Sequence, residues 1–130
     1  MSKARNKGGE SHVRLYAHEM RTPAWVTLDT DARALLVEFR ALYCGRENRI
    51  HMSVREVQRR LNIGQRPAQR AIKALIDRGW IRLIERGDFN YKIRHASVYA
   101  LENEPIEEKD GAKTPKSYMH WKPDDVDFSR

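Results

Sequence analysis

The chain has 130 residues and 15.3 kDa, with 25 Lys and Arg against 18 Asp and Glu, a formal charge of +7 and a pI near 9.8. That length builds one domain with its own core and is too short for two ordinary ones. A charged fraction of 33%, a mean hydropathy of −0.79 and a single cysteine, Cys44, exclude a disulfide scaffold, and no apolar run approaches the roughly 18 residues of a membrane span.

The opening MSKARNKGGE has no apolar stretch behind its basic residues, so a secretory signal is not expected and the cytoplasm is. Low periodicity predicts a flexible basic arm over 1–20, a domain over 21–101 and an acidic, partly ordered tail over 102–130. Thr22 followed by Pro23 is a helix start, with Trp25 and Leu28 expected to turn inward. From Asp29 or Thr30, the residues Ala32, Leu35, Leu36, Phe39, Leu42 and Tyr43 recur with a 3.6-residue period, and Gly45 is placed to end that helix. Cys44, beside it, reads as a small buried hydrophobe.

Arg49–Met52 reads as a short strand. Ser53 and Glu56 match a capping box for a helix with Val54, Val57 and Leu61 on one face. Asn62-Ile63-Gly64 is a turn in which Gly64 is expected to take the positive φ. A second helix runs from Gln65 to Gly79, burying Ala68, Ala71, Ile72, Leu75 and Ile76. Residues 80–85 and 97–101 then read as two strands of a hairpin around a basic connection. Trp25, Phe39, Trp80 and Tyr99 are expected in the core.

Charge is uneven along this plan. Residues 46–101 hold thirteen basic against five acidic groups, while 102–130 hold five against eight. A cationic middle points to a polyanion as partner. The outward face of the 65–79 helix carries Arg66, Gln69, Arg70 and Lys73 at i, +3, +4 and +7, with Gln65 at its start. These residue types suit a DNA groove, where Arg reads guanine and Gln reads adenine through paired hydrogen bonds.

The order helix, strand, helix, turn, helix, hairpin resembles the winged helix-turn-helix family of DNA-binding domains. The resemblance covers roughly residues 25–101 and rests on MSVREVQRRLNIGQRPAQRAIKALIDRGWIRLIERG, Met52–Gly87. More narrowly, with Pro23-Ala24-Trp25 before the first long helix, the chain is similar to small proteins of bacterial plasmids, phages and other mobile elements. The resemblance implies an α+β fold, mainly helical, with a β-hairpin wing. It implies Arg86, Lys92 and Arg94 as wing contacts, and Arg55, Arg59 and Arg60 as positioning contacts to phosphate.

The function this implies is sequence-specific binding of double-stranded DNA by a transcriptional repressor associated with the nucleoid. A homodimer is expected, because one short helix reads few base pairs. The alternatives are a replication or partition factor of a mobile element, and a winged helix used as a protein-interaction module. Catalysis is not expected: the five histidines lack metal-ligand spacing, and no Gly-rich phosphate loop or activated nucleophile is present. No cofactor is expected. The tail's Tyr118, Trp121 and Phe128 either fold back on the domain or meet a protein partner.

Overall fold

The computed structural model describes residues 10–87 and 96–124. In chain order it holds α1 (Ala17–Met20), α2 (Pro23–Val26), α3 (Thr30–Leu42), β1 (Ile50–Met52), α4 (Val54–Leu61), α5 (Gln65–Asp77), β2 (Ile81–Glu85), β3 (Ser97–Leu101) and a 3-10 turn, Ser117–Met119. The fold is α+β, and among the described residues no helix is long and apolar enough to cross a membrane.

The local signals act where they stand in the sequence. Thr22 Oγ1 accepts from the Trp25 N–H at 3.2 Å and donates to the Glu19 carbonyl at 2.7 Å, so it caps α2 and closes α1. Asp29 caps α3 by accepting from the Ala32 N–H at 2.9 Å. Behind that cap Ala32, Leu35, Leu36 and Phe39 are fully buried, as their period predicts. The helix stops earlier than expected. Tyr43 is extended at φ −73°, ψ 124°, so Leu42 is exposed and Gly45, at φ +86°, shapes the following turn instead of ending the helix. Cys44 sits in this outward-swinging segment and is exposed, not buried as expected.

Ser53 Oγ accepts from the Glu56 N–H at 3.0 Å, but the Glu56 carboxylate turns away to Arg59 and Arg60, so this cap works from one side. The turn between α4 and α5 also departs from expectation. Asn62 takes the left-handed conformation, at φ +58°, while Gly64 is extended at φ −78° as the N-cap of α5. Asn tolerates that region better than other side chains do, which frees the glycine for the cap. α5 packs across α3 and α4 through Ala68, Ala71, Ile72 and Leu75, with Ile76 half-buried.

The sheet is antiparallel in the order β1-β3-β2. Tyr99 on central β3 pairs with Ile50 and Leu83, and its ring meets Phe39 edge-on at 5.4 Å. Asn48 prolongs the pairing by side chain, donating to the Leu101 carbonyl and accepting from its N–H, both at 2.8 Å. Sheet and helices share one core containing Trp25, Phe39, Trp80 and Tyr99.

The two ends of the domain differ from the plan. The arm expected over 1–20 stops short, because α1 is helical and Glu19 is 1% exposed. Its carboxylate accepts two bonds from Arg40 on α3, at 2.8 and 3.0 Å, and one from the Tyr118 hydroxyl at 2.9 Å. The tail folds back over its described part. Ile106 and Tyr118 are buried, and Tyr118 stacks on Trp80 at 4.1 Å with 8° between the rings. Arg78 lies over the Trp121 ring at 4.8 Å and donates from Nε to Thr27 Oγ1. Phe128 lies outside the described residues.

Gly79 joins these facts. Its φ is +83°, and a Cβ there would stand 2.6 Å from Ser117 Cβ and 2.9 Å from the Tyr118 nitrogen. Gly79→Ala is therefore expected to cost about 1–2 kcal/mol from the left-handed backbone alone, and more by displacing the 3-10 turn. Thermal unfolding checks it: an unchanged midpoint would refute the tail contact.

Candidate functional site

α5 presents its polar side chains on the face opposite its core residues. Gln65, Arg66, Gln69, Arg70 and Lys73 are all exposed, so the predicted stripe forms, about ten ångströms long by helix geometry. No side chain caps the first turn of α5 and no acidic residue lies in it. The partial positive charge of that terminus therefore adds to Arg66 and Arg70.

The cations differ in what they already hold. Arg55, Arg66 and Arg70 make no hydrogen bond or ion pair among the described residues. Arg59 and Arg60 share Glu56, with Arg60 Nε at 2.7 Å, and Arg60 also reaches Glu38 on α3 at 3.0 Å. Hydrogen bonds from Arg60 and then Arg59 hold the Glu56 carboxyl below its usual range. Lys73 pairs with Asp77 at 2.9 Å, one turn along. Such exposed pairs are weak, and a phosphate oxygen can exchange with either carboxylate. Within α4 and α5, the unpaired positive charge thus sits on the first turn of α4 and the first half of α5.

Arg86 is exposed just past β2, where the Gly87 N–H donates to Ser97 Oγ at 2.9 Å. Lys92 and Arg94, the other two wing residues, lie outside the described residues. Among the described residues no group of His, Cys, Asp and Glu stands together in a way that would hold a metal ion.

One group escapes a reading by helical period. His12, Arg14, Tyr16 and His18 interlock ahead of and within α1: Arg14 donates to His12 Nε2 and to the Tyr16 hydroxyl, and Tyr16 stacks on His18. The available signal is the i, i+2 spacing of four ring or guanidinium side chains, which lies inside a segment read as an arm. Lys116, the other missed residue, joins them only through the returning tail.

Compared with protein-family models, with curated proteins and with solved structures, the chain matches none of them.

Proposed function

We propose that the chain is a winged helix protein that binds double-stranded DNA in a sequence-specific way and represses transcription by occupying an operator as a homodimer. The observation that carries this reading is the exposed Arg66-Gln69-Arg70 row, unpaired on a helix whose other face is locked into the core. Side chains that must read base edges need a rigid platform and free hydrogen-bonding groups, and this row has both. In this reading Arg55 and Arg86 lie on phosphate, and Arg59 and Lys73 exchange their intramolecular carboxylates for it. Dimerisation doubles the few base pairs that one helix reads.

Selection from a random duplex pool at physiological salt tests the reading. An enriched inverted repeat, with half-sites about 10 base pairs apart, supports a dimeric operator-binder. Direct repeats replace repression with a replication role, and the absence of any motif overturns sequence-specific binding.

On the selected site, Arg70→Ala is expected to cost about 1–3 kcal/mol and to relax preference at one base position. Arg55→Ala is expected to weaken all duplexes alike and to lower the salt slope by about one. Binding isotherms at several salt concentrations separate the two; identical behaviour would remove the assigned difference between the helices.

A further inference from the structure

A second site lies away from the α5 face. The segment running into α1 forms one wall of a cavity of about 390 Å³, whose other wall is the returning tail. Arg14, Tyr16 and His18 line it from one side, and Asn103, Glu104 and Lys116 from the other. Glu19 and Tyr118 also line it, but they are satisfied by each other and by Arg40, so they contribute shape and not free valences.

The remaining groups are prepared for a ligand in three ways. The first is the Arg14 guanidinium, held by two side chains. Nε donates to His12 Nε2 and Nη1 to the Tyr16 hydroxyl, each at 3.2 Å, leaving Nη2 unbonded among the described residues. Since Arg only donates, His12 accepts through Nε2 and carries its proton on Nδ1, which donates to the Glu10 carbonyl at 3.1 Å. The second is an exposed pair of stacked rings, Tyr16 and His18, with centroids 5.6 Å apart and planes 19° from parallel. Tyr16 is 45% exposed, so burial does not explain the arrangement.

The third is Lys116. It stands at φ +49°, one of two non-glycine residues with positive φ among those described. Asn at such a position is ordinary; Lys is not, and strained backbone of this kind gathers at binding sites. A glycine would relieve the strain, and this chain keeps a cation there, lining a cavity that Arg14 also lines.

We propose that this cavity binds one nucleotide unit whose base carries an exocyclic amine. Arg14 and Lys116 take the phosphate, Tyr16 and His18 stack on the base, and the Glu104 carboxylate accepts from the amine. Aromatic stacking on a base with cations on its phosphate is the common grammar of single-strand recognition. A carboxylate adds selectivity, since cytosine presents an amine donor where thymine presents a carbonyl. The site stands independently of the α5 reading. A strand with unpaired bases and a free mononucleotide share this chemistry, and both are sources the test separates.

The experiment titrates the full chain into fluorescein-labelled dC12, dT12 and a blunt-ended two-strand duplex, following anisotropy. The wild type is expected to bind dC12 more tightly than dT12. Tyr16→Ala and Lys116→Gly are each expected to weaken dC12 about tenfold, with the duplex unchanged. Tyr16→Phe keeps the ring but releases Arg14 Nη1, so it is expected to weaken dC12 less than Tyr16→Ala does, and Glu104→Ala makes dC12 and dT12 equivalent. Lys116→Gly also removes backbone strain, so its thermal midpoint holds or rises while binding falls; this separates loss of the site from loss of the fold. Displacement of dC12 by CMP assigns the site to a free nucleotide, and its failure assigns the site to a strand. Equal wild-type affinity for dC12 and dT12 overturns the proposal. So does a loss from Lys116→Gly that is the same on the duplex as on dC12, which would make the effect one of net charge.

Discussion

Glu19→Ala is expected to destabilise the fold by about 3–5 kcal/mol, because it leaves a buried guanidinium without its counter-charge. The Glu19 and Arg40 side chains are 2% and 5% exposed and share a bidentate pair. The same carboxylate also receives the Tyr118 hydroxyl and the Tyr16 N–H, the latter at 3.0 Å. Without it, the only hydrogen bond Arg40 keeps among the described residues is to the Arg14 carbonyl, at 3.1 Å, and the Tyr118 hydroxyl loses its acceptor inside the core. Each orphaned group adds a desolvation cost. Glu19→Gln keeps an acceptor without the charge and is expected to lose less.

This pair also makes stability depend on acid. Burial pushes the Glu19 carboxyl up, but the hydrogen bond from Arg40, the Tyr16 N–H, the Arg40 charge and the Tyr118 hydroxyl together bring it below the ordinary 4.5. A carboxyl whose folded-state value is depressed contributes stability that is present above its unfolded value and is lost as pH falls through the folded one. The gap between wild type and Glu19→Ala is therefore expected to be full at pH 7 and to narrow only below about pH 4.5. Urea titrations at pH 7 and pH 3.5 measure it; a gap that ignores pH would show that shape, and not charge, is what Glu19 supplies.

The second large effect is expected at Trp80, where Trp80→Ala should cost about 3–5 kcal/mol by opening a cavity. Its indole is fully buried between two rings, Trp25 edge-on at 6.1 Å and Tyr118 stacked at 4.1 Å. Nε1 donates to the Ala24 carbonyl at 3.2 Å, and the Arg40 guanidinium lies 5.7 Å from the ring centroid. One side chain thus joins α2, the end of α5, α3 and the returning tail. Removing it is expected to release the tail before the helices unfold, so trypsin should cut after Lys113 or Lys116 under conditions where α3–α5 persist. A variant that loses stability while its tail stays protected would place the Trp80 contribution in the helices alone.

These two residues mark the border between what local sequence carries and what it does not. Trp80 is legible as core from the apolar, β-rich run after Gly79. Glu19 is not legible, since an acidic residue in a polar segment looks solvated until Arg40, 21 positions on, and Tyr118, 99 positions on, are brought to it. The candidate site divides in the same way. The α5 stripe follows from a 3.6-residue period, because burying Ala68, Ala71, Ile72 and Leu75 leaves Arg66, Gln69, Arg70 and Lys73 no other direction. Which cations of the two helices stay free follows only in part: Lys73–Asp77 and Arg60–Glu56 are i, i+4 pairs along one helix, whereas the Arg60–Glu38 pair depends on how α3 lies beside α4.

The sequence by itself determined the features whose causes lie within a turn or two of chain. Those are the caps at Thr22, Asp29 and Ser53, the buried stripes of α3 and α5, the two strands after Gly79 and the cationic outer face. Tertiary structure alone decided where α3 ends, which residue of the Asn62–Gly64 turn is left-handed, and that Cys44 faces outward. It also turned an arm and a tail into two walls of one cavity. The reason is one of range. Backbone capping and helical period act between near neighbours, whereas burial of a charge, stacking of Tyr118 on Trp80 and pairing across elements reward contacts that exist only once the chain has closed on itself.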